Sequence, residues 1–274
     1  MNLLYGFLIV AGVAALAIGA MLLVRRRAPE GSFFSDGDRA SGVFGVLATG
    51  FSVLLGFIIF LAFSSYDQSR TGAETEALVL VQQVETAQFF PPDLGGELTG
   101  QLVCYGRNVA GAEWDQMESG TRRGEINPWG VVLFGTLQGY EPQSASEEAA
   151  YGKWLDQTSD REEARRDRVH GAAGILPTPL WVVLFFITGV VFVYMLFFAD
   201  RAERARTQAL LMGSVAAVIT TMLLLLAFLD DPFHEGVGGL RPVAMERSLG
   251  AIDEALAAIG ADVTIPCNAE GQPL

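Results

Sequence analysis

The chain has 274 residues, a mean hydropathy of +0.35 and a formal net charge of −13 at pH 7. The hydropathy is too high for a typical soluble domain. The acidic balance argues against a nucleic-acid partner, which needs a concentrated basic surface. Four apolar runs without an internal charge carry the excess: Leu3–Val24, Gly42–Phe63, Leu180–Ala199 and Ala209–Leu229. Each is long enough to cross a hydrocarbon core of roughly 30 Å as a helix, so we predict four transmembrane helices.

The first run lacks a basic region ahead of its apolar core, so we expect a retained span and not a signal peptide. The two short links between runs carry arginines, which are Arg25, Arg26, Arg27, Arg39, Arg201, Arg204 and Arg206. Because short cytoplasmic loops are enriched in Lys and Arg, we place both links in the cytoplasm. The N-terminus, residues 64–178 and the C-terminus are then on the outer side of the membrane.

The second run has a face of small residues that continues into charge. Gly42, Gly45, Thr49, Ser52 and Gly56 are spaced three and four apart. At about 100° per residue they fall within an arc of roughly 60° on a helix. The same face continues through Phe60, Phe63, Asp67, Arg70 and Glu74, whereas Phe44, Phe51 and Ile58 lie nearly opposite.

This face has two interpretations. Gly42, Gly45, Ser52 and Gly56 can let helices pack closely, which is the commonest use of small residues in membranes. Several copies around an axis could instead form a pore, with an apolar constriction at Phe60 and Phe63 and a charged mouth at the residues that follow. The pattern alone favours packing.

Residues 64–178 are predicted to form a helical extramembrane domain. The second helix should continue until Pro91 and Pro92, and Asp93 is expected to cap the next helix. Asn127 before Pro128 and the capping box of Ser144 with Glu147 predict two further helix starts. In the last of these helices, side chains three and four apart can form ion pairs; these residues are Arg161, Glu162, Arg165 and Arg166.

The tail, residues 230–274, is predicted to contain an amphipathic helix that begins at Pro242. The chain has two cysteines, Cys104 and Cys267, which any four-span topology places on one side of the membrane. On an oxidising side they could form a disulfide that joins the tail to the large domain. The alternative is two unrelated free thiols.

The sequence contains no arrangement that indicates catalysis. The two histidines, His170 and His234, are not spaced as metal ligands, and there is no phosphate-binding glycine loop or serine elbow. We predict a protein that is not an enzyme and has no metal or cofactor.

Three stretches resemble the bestrophin-like membrane proteins, most closely a bacterial branch defined by a domain of unknown function. They are LLGFIIFLAFSSYDQSRTGAETEA (54–77), ILPTPLW (175–181) and LDDPF (229–233). Bestrophins are pentameric ion channels whose second helix lines the pore. The resemblance implies neck positions at Thr49, Val53 and Phe57, and it shifts the preference toward the pore. Bestrophins keep their large segment in the cytoplasm, opposite to the arginine distribution here, and we follow the arginines.

The sequence thus predicts an all-α integral membrane protein with four parts, residues 1–63, 64–178, 179–229 and 230–274. The leading hypothesis is a homo-oligomeric anion channel in the lipid bilayer, a pentamer if it follows bestrophins. The alternative is a non-conducting scaffold or sensor whose extramembrane domain binds an unknown protein partner.

Overall fold

A computed structural model of the chain describes residues 3–120 and 127–274. Its α-helices are α1 (Leu3–Arg25), α2 (Gly37–Ala87), α3 (Pro92–Asn108), α4 (Trp114–Glu118), α5 (Pro128–Leu137), α6 (Ala145–His170), α7 (Thr178–Phe197), α8 (Ala205–Asp230) and α9 (Val243–Ile259). A π-helical turn, Val109–Glu113, lies between α3 and α4. The described residues form no β-sheet, and the predicted all-α class is confirmed.

The chain divides into two compact units. The membrane unit comprises the described residues up to Ser64 together with Gly174–Asp231 and Gly236–Gly238. The helical unit comprises the described residues of Ser65–Ala173 together with Pro232–Glu235 and Gly239–Leu274. Four helices, α1, α2, α7 and α8, are long and apolar enough to span a membrane, as the sequence predicts.

In the membrane unit, α1 packs along α8. A Cβ atom at Gly213 of α8 would lie 2.8 Å from the end of the Ile18 side chain, so the two helices approach closely at this point. On α2, Phe51, Leu55 and Ile58 are buried. Two of the bulky residues predicted to lie opposite the small-residue face, Phe51 and Ile58, are therefore on the buried side of α2.

Asp230, at the end of α8, holds the start of α7. Its carboxylate accepts hydrogen bonds from the backbone N–H groups of Ile175 (2.8 Å) and Leu176 (2.6 Å) and from Nε1 of Trp181 (3.2 Å). These bonds satisfy amides ahead of the helix that have no partner within it. The motifs ILPTPLW and LDDPF, which are distant in sequence, thus meet in one structural contact.

The core of the helical unit joins the second half of α2 to α3, α5, α6 and α9. Its buried side chains include Leu80, Leu98, Tyr105, Trp129 and Trp154. The C-terminal segment lies against this core, because Nε1 of Trp129 donates to the carbonyl oxygen of Gly271 at 2.6 Å. Gly271 has φ +75°, and a Cβ atom there would lie 2.3 Å from the backbone nitrogen of Asn108.

Two of the three predicted helix caps are confirmed. Oδ1 of Asn127 accepts from the N–H of Trp129, and Oγ of Ser144 accepts from the N–H of Glu147. The prediction for Asp93 is wrong, because α3 begins one residue earlier at Pro92 and places Asp93 within its first turn. Proline is favoured in the first turn of a helix, where its missing N–H has no partner to lose.

Candidate functional site

The small-residue face of α2 is exposed along the membrane unit. Its glycines and serine, Gly42, Gly45, Ser52 and Gly56, are all exposed, and so is every residue of the neck and constriction predicted from the sequence: Thr49, Val53, Phe57, Phe60 and Phe63. These residues make a continuous surface that the other described residues do not cover.

The glycines of this face have no close neighbour among residues 3–120 and 127–274. A Cβ atom added at Gly42, Gly45 or Gly56 would meet nothing within 4 Å. Gly213 of α8 is different, because a Cβ atom there would strike α1. Close packing through a small residue therefore occurs within this chain at α8, whereas packing at the α2 glycines would require a helix from another molecule.

The exposed faces of α2 and α7 differ in character. On α7 the exposed side chains are bulky and apolar: Val182, Val183, Phe185, Phe186, Val193 and Phe197. Such side chains suit contact with acyl chains. The first half of the α2 face instead presents glycines, the hydroxyl of Thr49 and that of Ser52, which bonds to the carbonyl oxygen of Ala48. This composition suits lipid less well and suits either water or a second helix.

The predicted charged mouth lies in the helical unit. Asp67, Arg70 and Glu74 are exposed, and Nε of Arg70 pairs with Oε1 of Glu74 at 3.1 Å. An exposed pair of this kind contributes only about 0.3–0.5 kcal/mol to helix stability. Its charges remain available to solvent and ions.

The two cysteines are joined in the helical unit. Cys104 of α3 and Cys267 of the C-terminal segment form a disulfide, with their Cα atoms 5.8 Å apart. Both residues are buried. The bridge and the bond between Trp129 and Gly271 fix the C-terminal segment against α3 and α5.

A buried charge cluster, which sequence reasoning missed, lies inside the helical unit. We define it as Glu76, Glu113, Arg165 and Arg168. Arg168 forks onto the carboxylate of Glu76 and also contacts Oε1 of Glu113 at 3.1 Å. Arg165 reaches the same Oε1 at 3.1 Å. The cluster contains two positive and two negative charges, so it is neutral as a whole.

Two neutral side chains and a third arginine surround this cluster. The hydroxyl of Tyr105 donates to Oε1 of Glu76 at 2.6 Å, and Nδ2 of Asn127 donates to Oε2 of Glu113 at 3.1 Å. The guanidinium of Arg161 lies 4.6 Å from the centre of the Tyr105 ring and donates to Oε1 of Gln83 at 2.7 Å. Because α2, α3, α6 and the π-helical turn each contribute, the cluster fixes their mutual register.

Burial and charge act in opposite directions on Arg168. Burial alone would lower the pKa of its guanidinium, but the carboxylates of Glu76 and Glu113 outweigh burial and raise it. The pKa of the Tyr105 hydroxyl is well above its usual value because of burial first and the adjacent Glu76 carboxylate second. Both groups therefore keep their ordinary protonation state at any physiological pH.

The sequence contains a partial signal of this cluster. Arg161, Arg165 and Arg168 are spaced four and three apart, so they share one face of α6. The sequence pattern predicts ion pairs along this helix for Arg161 and Arg165. That prediction is wrong for Arg165, which pairs with Glu113 on another segment. Arg161 pairs at 3.7 Å with Glu162, which is one position away and not three or four. Within residues 3–120 and 127–274, no group of three or more His, Cys, Asp or Glu residues could hold a metal ion.

Comparison with protein families confirms the resemblance drawn from the sequence. The Bestrophin-like domain model matches residues 11–244. No curated protein matches the chain.

Solved structures share the fold at low sequence identity. A substituted form of a bacterial bestrophin homolog from Klebsiella pneumoniae superposes with a TM-score of 0.67 at 13% identity, over 92% of this chain and 99% of that one. Another substituted form of this homolog gives 0.64 at 16% identity, over 92% and 98%. A structure described as a membrane protein gives 0.65 at 14% identity, over the whole of both chains. At these identities the similarity establishes the fold.

Proposed function

We propose, because this chain belongs to the Bestrophin-like domain family, that it assembles into a homo-oligomeric ion channel, selective for anions, whose pore is lined by copies of α2. The observation that carries the proposal is the exposed face of α2. That face includes Thr49, Val53 and Phe57, the positions at which the resemblance places the neck of a bestrophin pore.

The order of residues along α2 supplies what a gated pore requires. Glycines and hydroxyls at its start would leave room for water, and Val53, Phe57, Phe60 and Phe63 would narrow the path with apolar groups. Apolar constrictions hinder ions by favouring a dry pore, and charged rings select among ions. Five copies, as in bestrophins, would place such a constriction on a symmetry axis.

Replacing Val53 with Ala is expected to raise anion flux severalfold in liposomes that contain the purified protein. The smaller side chain widens the constriction and weakens its tendency to exclude water. Val182 on α7 is the matched control, since it is the same residue type with similar exposure, 63% against 68% for Val53. Val182→Ala should leave the flux unchanged.

Two results of this measurement would contradict the channel. One is the absence of any conductance in wild-type liposomes in every oligomeric state that can be purified. The other is an equal response of Val53→Ala and Val182→Ala, because the flux would then not depend on the face of α2.

The alternative function is a non-conducting scaffold in which the α2 glycines pack against another copy. The open space beside Gly56 favours it as well, because that space admits a partner helix. Gly56→Leu distinguishes the two functions. A scaffold packed at Gly56 should fail to assemble, whereas a channel should still assemble and change its conduction.

We further propose that the helical unit faces the outside of a bacterial plasma membrane and that the two arginine-rich links face the cytoplasm. The arginines support this orientation. The bridge between Cys104 and Cys267 supports it independently, because disulfides persist in oxidising compartments and are rare in the cytoplasm.

Lys153 is expected to react with a membrane-impermeant amine reagent added to intact cells. It is the single lysine of the chain and is exposed on α6 of the helical unit, so peptide mapping identifies its label without ambiguity. Lys153→Arg should abolish that label. Labelling that appears only after the cells are lysed would place the helical unit in the cytoplasm, as in bestrophins.

A further inference from the structure

An apolar groove of about 630 Å³ runs along one face of α7 in the membrane unit. Its lining residues are Phe34, Phe185, Phe186, Gly189, Val190, Val193, Tyr194 and Phe197. Seven of the eight come from a helix that is apolar on every side, and the eighth, Phe34, comes from the link between α1 and α2. A groove of this composition on a membrane-spanning helix is suited to an acyl chain.

The link between α1 and α2 closes one end of the groove. The N–H of Phe33 donates to the carbonyl oxygen of Phe197 at 3.2 Å. The ring of Phe34 stacks on Tyr194 with centroids 5.9 Å apart and contacts Phe198 at 4.9 Å. Tyr and Trp side chains are enriched where a membrane helix meets the headgroups, and Tyr194 lies here, three residues before α7 ends at Phe197. This end of the groove therefore lies at the level of the lipid headgroups.

The same end brings the two arginine-rich links together. A guanidinium nitrogen of Arg25 donates to the carbonyl oxygens of Arg201 and Glu203, and the N–H of Gly31 donates to Oδ1 of Asp200 at 3.0 Å. The links that follow α1 and α7 are thus one structural element. The groove ends at this element, because Phe34 belongs to the first link and Phe197 is the last residue of α7.

The acidic and basic side chains of this element differ in their hydrogen bonding. The carboxylate of Asp200 accepts from the backbone N–H groups of Ala202 and Gly31, and these bonds lower its pKa. Asp36 accepts from the N–H of Arg39, and Glu203 from the side chain of Gln208. Glu30 and Asp38 are exposed. The carboxylates that form hydrogen bonds within this element therefore mainly stabilise its backbone.

The cations are in the opposite situation. Arg26, Arg27, Arg201 and Arg204 are exposed, and within the described part of the chain no carboxylate pairs with their guanidinium groups. Guanidinium groups bind phosphate in a two-pronged geometry. A cluster of basic residues beside membrane helices is the arrangement that holds anionic headgroups.

We propose that this groove and its arginines bind one anionic phospholipid, with an acyl chain along α7 and the phosphate at the two links. The charge complementarity selects this occupant over a zwitterionic lipid. The proposal is independent of conduction, since it uses neither the exposed face of α2 nor any ion pathway.

Native mass spectrometry of the detergent-purified chain, titrated with cardiolipin and with phosphatidylcholine, tests this proposal. Wild type should bind cardiolipin at least about tenfold more tightly, because each interfacial arginine adds roughly a factor of five to anionic-lipid binding. Arg201→Gln combined with Arg204→Gln should remove most of that preference. Arg26→Gln with Arg27→Gln is a second, separate variant, and Arg247→Gln, exposed on α9, is the control.

Gly189→Leu tests the groove itself. A Cβ atom at Gly189 meets nothing within 4 Å, so a leucine side chain should fill the groove without shifting the neighbouring residues. It should weaken the binding of both lipids severalfold, whereas Gly12→Leu, equally unobstructed on α1, should not. The proposal is overturned if both arginine pairs can be removed without loss of preference, or if Gly189→Leu behaves as Gly12→Leu. It is also overturned if Gly189→Leu changes the oligomer mass, because a second copy would then occupy the groove.

Discussion

Replacing Arg168 with Met is expected to lower the free energy of unfolding of the helical unit by about 3–5 kcal/mol. The substitution keeps most of the side-chain volume but removes the charge that Glu76 and Glu113 share. Both carboxylates are buried, so water cannot take the place of the guanidinium group that they lose. Three of the four tryptophans, Trp114, Trp129 and Trp154, belong to this unit, so denaturant unfolding followed by tryptophan fluorescence reports on it directly.

Arg166→Met is the matched control for this measurement. Arg166 lies on the same helix and is exposed, and we expect its replacement to change stability by less than about 0.5 kcal/mol. The double variant Glu76→Leu with Arg168→Met should lose less than the sum of the two single losses, because it removes both members of the buried pair. If Arg168→Met unfolds at the same denaturant concentration as Arg166→Met, the cluster does not stabilise the unit.

Removing the disulfide is expected to produce the second large loss of stability. The bridge between Cys104 and Cys267 spans 163 residues of sequence. A cross-link over so long a loop restricts the unfolded chain strongly, by about 5 kcal/mol in the chain-entropy treatment and by about 2–5 kcal/mol in typical measurements. Cys104→Ala combined with Cys267→Ala should therefore lower the melting temperature by about 5–15 °C.

Alanine is the suitable replacement here because both cysteines are buried and serine would introduce an unpaired hydroxyl. Wild-type protein treated with a thiol reductant under mild denaturation should reach the melting temperature of the double variant. An unchanged melting temperature in the double variant would mean that the cysteines are reduced in the native protein. That result would also remove the independent support for an outside location of the helical unit.

The features that the sequence predicts well are those determined by neighbouring residues. Four uninterrupted apolar runs predict the spans. The absence of proline between Ser64 and Phe90 predicts that α2 continues far beyond the apolar run, and it ends at Ala87. The caps at Asn127 and Ser144 depend on residues two or three positions away, so local rules identify them. Asp93 also fits the capping rule, but α3 begins one residue earlier, at Pro92.

The features that the sequence does not predict depend on distant partners. Glu76 and Arg168 are 92 positions apart, and nothing near either residue indicates that they meet. The π-helical turn adds a residue to its helical turn and brings Glu113 to Arg165 and Arg168, which regular helical periodicity would not suggest. Likewise, the spacing of the small residues on α2 does not indicate whether their face packs against another helix of the chain or is exposed. The space around Gly42, Gly45 and Gly56 shows that none of the described helices packs there.

The central proposal is that α2 of every copy faces a common axis. The most direct measurement is the structure of the assembled protein in lipid nanodiscs, determined by electron cryo-microscopy. We expect a symmetric ring in which Thr49, Val53 and Phe57 point toward the axis and border a continuous aqueous path. An assembly with these residues turned toward acyl chains, or a single copy without such a path, would contradict the proposal.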